Sequence, residues 1–163
     1  MELRTVTEED VALRISMETD PAMMAELGGP ISKERIEKAY SKALQSIAAG
    51  TCWCFKIIPD GSQTAAGTMA IWLSSWRDEP INEMGWMILP QFQGKGLASQ
   101  AAKQILHMAK AQTKFQFVHA FPGISNLPSN AICRKAGFSK LEECEVDYAE
   151  RILQCNHWVI QVF

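Results

Sequence analysis

The segment Gln91-Phe92-Gln93-Gly94-Lys95-Gly96 constrains this chain more than any other. The run before it, Glu83 to Pro90, is apolar and too short for a comfortable helix. After it, Leu97, Ala101, Ile105 and Met108 recur at helical spacing, seconded by Ala98, Ala102, Leu106 and Ala109. The pattern predicts a strand, a glycine turn and an amphipathic helix. Glycines in such a turn let backbone N–H groups close on a ligand without a Cβ in the way. The open N–H groups and positive dipole end of the following helix favour an anion, most often a phosphate.

Two common phosphate loops do not fit. A Walker A loop needs Ser or Thr after Gly-Lys, and here Gly96 follows Lys95. A dinucleotide fingerprint needs a third glycine where Ser99 stands, and an acidic residue about 20 positions on. The next strand-like run instead carries His119 and three phenylalanines. What remains is Gln-x-x-Gly-x-Gly between strand and helix. About thirty residues later comes Asn126-Leu127-Pro128-Ser129-Asn130-Ala131-Ile132-Cys133-Arg134-Lys135-Ala136-Gly137-Phe138. Locally this reads as a capped helix: Asn126 or Ser129 at its start, Pro128 in the first turn, Gly137 in the left-handed position past its end.

The first pattern resembles the acyl-CoA pyrophosphate loop of the GNAT N-acetyltransferase superfamily. The second resembles the same superfamily's Asn-x-x-Ser/Ala, short helix, Lys-x-Gly-Phe signature. They stand in the family's order and spacing. The segments Gly28-Gly29-Pro30 and Pro128-Ser129-Asn130 resemble its ribosomal-protein-alanine N-acetyltransferase (RimJ/RimL-like) branch.

The remaining elements read in an order that suits this resemblance. Leu3–Val6 is expected as a strand, and Thr7 before Glu8, Glu9 and Asp10 as a capped helix start. A short helix is expected between Asp20-Pro21 and Gly28. Ser32 caps another, whose face carries Ile36, Tyr40, Ala43, Leu44 and Ile47 and which Gly50 ends. Thr51–Ile58 and Ala66–Leu73 read as strands around the Pro59-Asp60-Gly61 turn, with Ser74–Pro80 as a loop. Phe115, Phe117, His119 and Phe121 share one face of a later strand, and Phe138–Tyr148 with Arg151–Val162 suggest a closing antiparallel pair. The order β-αα-βββ-α-β-α-ββ matches the GNAT fold. The expected class is therefore α/β (α+β), a mixed, mostly antiparallel sheet flanked by helices, as one domain over residues 1–163.

Composition narrows the function classes. A hydrophobic fraction of 47% with 21% charged residues is that of a soluble globular protein, and 163 residues can bury a sizeable core. A net charge of −2 makes no electrostatic case for nucleic acid or an anionic membrane. The start, with Glu2, Glu8, Glu9 and Asp10, lacks the basic and apolar regions of a signal peptide, so a cytoplasmic location is expected. Five cysteines do not read as a disulfide framework, and no Cys-x-x-Cys or His-x-x-x-His spacing supports zinc, so no metal is expected.

The resemblance implies jobs for particular residues. Backbone N–H groups of Gln93, Gly94, Lys95, Gly96, Leu97 and Ala98 would hold the pyrophosphate of acetyl-CoA. Met87, Ile88 and Leu89 would pair with the pantetheine arm, and an N–H among them would polarise the thioester carbonyl. Lys95 reaches a phosphate or is a solvated loop lysine. Asn126 is expected near the pantetheine or the acyl group, with Ser129 assisting or only capping. Glu83 is the first candidate general base and His119 the second, with a satisfied core histidine as its alternative. Many family members place a tyrosine after the Asn motif to protonate the departing thiolate; here that position is Cys133. A thiol can supply such a proton, and buried packing is the competing account.

The implied activity is transfer of an acetyl group from acetyl-CoA to a primary amine, of a small molecule or a protein N-terminus, by direct attack in a ternary complex. A homodimer is compatible with this. A non-catalytic acyl-CoA-binding module and a nucleotide-binding domain are the competing classes. The acceptor side, expected among the early helices, the Ser74–Pro80 loop with Trp76, Asp78 and Glu79, and the last strand pair, carries no discriminating motif.

Overall fold

The computed structural model describes residues 1–163. Its elements in chain order are β1 (Glu2–Thr5), α1 (Val11–Glu18), α2 (Lys33–Ala48), β2 (Trp53–Ile58), β3 (Gly67–Trp76), β4 (Glu79–Ile88), α3 (Leu97–Ala111), β5 (Phe117–Ala120), α4 (Leu127–Ala136), β6 (Ser139–Tyr148) and β7 (Arg151–Gln161). Single 3₁₀ turns lie at Glu8–Asp10, Ala25–Leu27 and Pro90–Phe92. The strands form one seven-stranded sheet in the order β1-β2-β3-β4-β5-β7-β6. Its β4–β5 pair is parallel, whereas β1–β2, β5–β7 and β6–β7 are antiparallel. No helix is long and apolar enough to cross a membrane.

Two compact units divide the chain: Met1–Ala70 with Trp86–Leu97, and Ile71–Gly85 with Ala98–Phe163. In the first, β1 and β2 register Glu2 opposite Ile58 and Thr5 opposite Phe55. The buried set includes Val6, Met17, Met24, Ile36, Tyr40, Phe55 and Ile57. Ile36 and Tyr40 lie four apart on the buried face of α2, as the helical spacing predicts. The Tyr40 hydroxyl donates to the Thr7 carbonyl at 2.7 Å, and Lys56 Nζ reaches both oxygens of Asp10 at 2.7 and 2.9 Å. Asp10 in turn accepts from the Thr7 N–H at 2.8 Å, so the expected cap at Thr7 is present, though the first turn it opens is 3₁₀.

The second unit is built around β5, β7 and β6, with α3 and α4 packing their small faces inward. Ala101, Ala102, Ile105 and Ala109 of α3 are fully buried, as are Val118 of β5 and Cys133 of α4. Each of its two hairpins turns on two residues. Ala149 and Glu150 have φ of +53° and +68°, and Tyr148 stands directly opposite Arg151. Arg77 and Asp78, between β3 and β4, have φ of +51° and +65°. Two consecutive positive φ values define the type I′ turn, whose twist matches that of the flanking strands.

The Arg77–Asp78 turn corrects one expectation. Ser74–Pro80 is not a loop: β3 extends to Trp76 and β4 begins at Glu79, so only two residues connect them. The Asn-Gly or Asp-Gly pair that usually marks such a turn is absent, and sheet twist imposes the conformation on two non-glycine residues instead. As a result Glu83 lies in the middle of β4, not at its head.

Candidate active site

β4 meets β5 over a short ladder, with Asn82 opposite Val118 and Glu83 opposite His119. The ladder stops there, while β4 runs on to Ile88. The far end of β4 is pressed against the start of β3. Leu89 N–H donates to the Ala66 carbonyl at 2.8 Å. A Cβ on Gly67, which has φ of +156°, would come within 2.0 Å of the Met87 carbonyl oxygen. Only a residue without a side chain lets the two strands approach this closely. The Met87 carbonyl and the Leu89 N–H therefore face β3, and strand alternation turns the N–H of Ile88 to the opposite edge.

The chain then makes its 3₁₀ turn at Pro90–Phe92 and enters the glycine segment. Gln93 folds back, its Nε2 donating to the Ile88 carbonyl at 2.9 Å. Gly94 and Gly96 have φ of +73° and +76°, in the left-handed region that favours glycine. Gln93, Gly94, Lys95 and Gly96 are all exposed, and a Cβ on Gly94 would meet nothing within 4 Å. Lys95 Nζ stands 5.5 Å from the centre of the Phe92 ring, a cation–π distance. α3 begins directly at Leu97, so its first N–H groups have no partner inside the helix. A bare, exposed backbone leading into a helix N-terminus has the shape and polarity to hold a phosphate group.

α4 starts as its sequence predicts. Asn126 is the N-cap, its Oδ1 accepting from the Ser129 N–H at 3.1 Å, and Gly137 closes the other end at φ of +95°. Behind this cap lies a polar cluster that the sequence did not disclose. Asn130, 3% exposed, donates through Nδ2 to the carbonyls of Gly123 (2.9 Å) and Asn126 (2.8 Å). Its Oδ1 accepts from Asn156 Nδ2 at 2.8 Å and Trp158 Nε1 at 2.9 Å. One amide thus fastens the loop before α4, the first turn of α4 and strand β7. Cys133 is wholly buried, and burial pushes its thiol up to about 12.

Glu83 is half-buried on β4, and burial raises its carboxyl above the usual value although a hydrogen bond from Ser74 works against it. His119 Nδ1 lies 2.9 Å from His157 Nε2. His157 is 3% exposed, and its ring stacks on Phe121 with centroids 4.6 Å apart and packs against Trp76 at 5.4 Å. Burial lowers both histidines, for His119 with help from His157; for His157 the neighbouring Glu142 opposes the shift. Trp76 is already covered by the Arg77 guanidinium, 5.1 Å from the ring centre, and packs on Phe121 at 5.0 Å. Its ring is thus engaged within its own unit, whereas Asp78 and Glu79 are exposed.

Sequence spacing placed Glu83 and His119 on strands without showing that those strands are neighbours. It gave no reason to single out His157, Glu142, Asn130 or Trp158. The partners that join them lie 15 to 65 residues away and meet only through sheet order. No group of three or more His, Cys, Asp or Glu side chains is placed to hold a metal ion.

Solved structures share this fold. A GNAT-family acetyltransferase from Bacillus anthracis is 20% identical, with a TM-score of 0.77 over 98% of this chain and 93% of that one. A spermidine N-acetyltransferase from Vibrio cholerae, solved with CoA and spermine, is 15% identical, with a TM-score of 0.78 over 98% and 94%. An acetyltransferase from Salmonella typhimurium that modifies the N-terminal serine of a ribosomal protein is 18% identical, with a TM-score of 0.78 over 98% and 93%. At these identities the likeness establishes the fold. No curated protein matches the chain. The acetyltransferase (GNAT) domain model matches residues 1–139, and the chain therefore belongs to the GNAT acetyltransferase family.

Proposed function

We propose that this GNAT-family chain transfers an acetyl group from acetyl-CoA to a primary amine, by direct attack with both substrates bound. The observation that carries the reading is the exposed Gln93–Gly96 backbone, with two left-handed glycines, feeding straight into the N-terminus of α3. Backbone N–H groups from Gln93 to Ala98 hold the pyrophosphate, and Lys95 flanks them. Met87–Leu89 align the pantetheine arm along the part of β4 that runs past its last β5 partner. The N–H of Leu89 is already committed to Ala66, and that of Met87 faces β3. Ile88 is the residue left to polarise the thioester carbonyl, whose oxygen gains negative charge during attack. Asn126 and Ser129 line the acyl end in the same reading.

An alkylammonium is no nucleophile, so a proton must leave the acceptor. The adjoining pair Glu83 and His119 receives it. An α-amine, with a pKa of about 7.7–8, asks less of that base than a lysine at about 10.4. Three of the solved structures are named for different amines: a ribosomal-protein N-terminus, spermidine and an aminoglycoside. The acceptor here is accordingly stated as a primary amine. The family match over residues 1–139 runs through segments of both units, which supports reading the chain as one domain.

A second reading, a non-catalytic acyl-CoA-binding module, is favoured by one observation: the position of the family's tyrosine holds Cys133, buried and weakly acidic. A thermal-shift titration with acetyl-CoA, followed by a thiol-release screen against amines and N-terminal peptides, separates the two. Stabilisation by acetyl-CoA with amine-dependent thiol release supports the transferase. Stabilisation without release across the panel supports the module. Gly94→Val, which puts a branched side chain on the exposed turn, should weaken acetyl-CoA binding at least tenfold. Unchanged binding in that variant would remove the turn from the site.

A further inference from the structure

The pair Glu83–His119 does not end at His119. We propose that Glu142, His157 and His119 form a proton relay across β6, β7 and β5, in which His119 Nε2 is the base and His157 and Glu142 are positioning residues behind it. The inference rests on the acetyltransferase reading for what the base acts upon.

The geometry starts at a β-bulge. In the β6–β7 ladder Lys140 faces Trp158 and Glu142 faces His157, so Leu141 is an extra residue on β6. A bulge re-aims the side chains that follow it, and here it brings Glu142 level with a buried imidazole. Arg77 holds the Glu142 carboxylate from the other side, its Nη2 donating to Oε2 at 2.9 Å. Glu142 Oε1 then lies 3.7 Å from His157 Nδ1. That is an electrostatic contact, too long for a full hydrogen bond, and Nδ1 has no other partner. A proton on Nδ1 faces the carboxylate favourably, whereas a lone pair there would face another acceptor.

This choice of tautomer propagates. With Nδ1 protonated, the neutral His157 ring presents a lone pair at Nε2. His119 Nδ1, 2.9 Å away, must then carry the proton that joins them. The neutral His119 ring has its basic lone pair at Nε2. When Nε2 takes a proton from the acceptor ammonium, the Nδ1 proton of His119 can pass to His157 Nε2. His157 becomes the imidazolium, next to the Glu142 carboxylate, and His119 is neutral again. No proton is created or lost: one leaves the amine, and one charge moves two residues away from the acceptor. Phe121 and Trp76 hold the His157 ring in place by stacking and edge contacts. The charged and titratable groups around the pair are Glu142 on β6, Arg77 on the β3–β4 turn, Glu83 on β4 and Cys155 on β7. Lowered basicity in both rings keeps them neutral near pH 7, the state the relay requires before it accepts a proton.

Imidazole nitrogen NMR on ¹⁵N-histidine protein, titrated from pH 8 to 5, tests this without turnover. The chain has three histidines, and His107, exposed on α3, is the internal reference. The relay predicts Nδ1–H tautomers at both His119 and His157, with linked titrations. Glu142→Gln, a mild change at a partly exposed side chain, should lower the apparent pKa of both rings and leave His107 unmoved. Nε2–H tautomers, or a His119 titration indifferent to Glu142→Gln and His157→Gln, would overturn the relay. Kinetics supply the second arm. His119→Gln should lower kcat about a hundredfold or more with acetyl-CoA binding retained, and Glu142→Gln should lower kcat severalfold and move the acid limb of kcat/KM downward. Full turnover in His119→Gln refutes the base assignment while leaving the acetyltransferase reading intact. Linked histidines in a wild-type protein that acetylates no amine uphold the relay and sink the acetyltransferase reading.

Discussion

Replacing Asn130 tests whether one buried amide holds the α4 cap against β7. In Asn130→Ala the carbonyls of Gly123 and Asn126 each keep a backbone donor, the N–H of Asn126 and of Asn130 respectively. The other two partners do not fare so well. Asn156 Nδ2 and Trp158 Nε1, on residues 6% and 5% exposed, lose their acceptor. Each buried donor left unsatisfied costs about 1–3 kcal/mol, so the variant should lose about 4 kcal/mol. That is a large share of the roughly 5–15 kcal/mol that holds a domain folded. Urea unfolding should show a lower midpoint with an unchanged slope, and Tm should fall by about 8–16 °C for a chain of this size.

Asn130→Asp sharpens the same test. It keeps an oxygen for Asn156 and Trp158 but sets a second oxygen against the Gly123 and Asn126 carbonyls. Burial and those carbonyls disfavour the charged form, so the folded-state pKa of the new carboxyl rises above its unfolded value of about 3.9. A raised folded pKa means stability that is present in acid and lost as pH rises through it. Asn130→Asp should therefore approach wild-type stability near pH 4 and fall toward the alanine variant at pH 7. A loss below about 1 kcal/mol in Asn130→Ala would refute the reasoning. So would a difference between Asn130→Asp and wild type that does not change with pH.

Three other outcomes follow from the geometry. Gly67→Ala places a Cβ 2.0 Å from the Met87 oxygen at a φ of +156° and should cost about 3 kcal/mol or more, read as a lower urea midpoint; a Tm within 2 °C of wild type, about the smallest shift a 1 kcal/mol loss gives, contradicts the close approach of β3 and β4. Cys133→Ala should keep kcat across the pH range, because a buried thiol at about 12 is a poor donor to a thiolate; a loss of kcat with intact acetyl-CoA binding would restore the acid role. The lowered pKa values of His119 and His157 mean that the unfolded chain takes up protons first as pH falls below about 6.5. Stability should thus decline between pH 7.5 and 5.5, less steeply in His157→Gln, and equal slopes in the two proteins would dismiss the contribution of that ring.

Local chemistry was legible wherever a residue's partner lies within a turn or two. Ser32 accepts from the Arg35 N–H, Asn126 from Ser129, and Gly137 takes the left-handed position at the end of α4, all as spacing implied. The glycine turn was legible for the same reason: positive φ at Gly94 and Gly96 is a demand that the backbone makes of the residue type. The β3–β4 connection was not, because Arg77 and Asp78 carry no turn signature and take positive φ only under the twist of the strands they join. His157 stands beside Trp158 in the sequence with no spacing that singles it out. Its neighbours on β5 and β6 are set by strand order and by one bulged residue.

The sequence by itself determined the family, the order of elements and the bare-backbone glycine loop, since these rest on residue type and short spacing. Only the tertiary structure decided which N–H of β4 faces away from β3, that Cys133 is sealed in the core, and that His119 is backed by a second imidazole and a carboxylate. Those outcomes depend on which strands lie side by side and in what register. Hydrogen-bond pairing across a sheet settles that between residues far apart in the chain, and no local pattern encodes it.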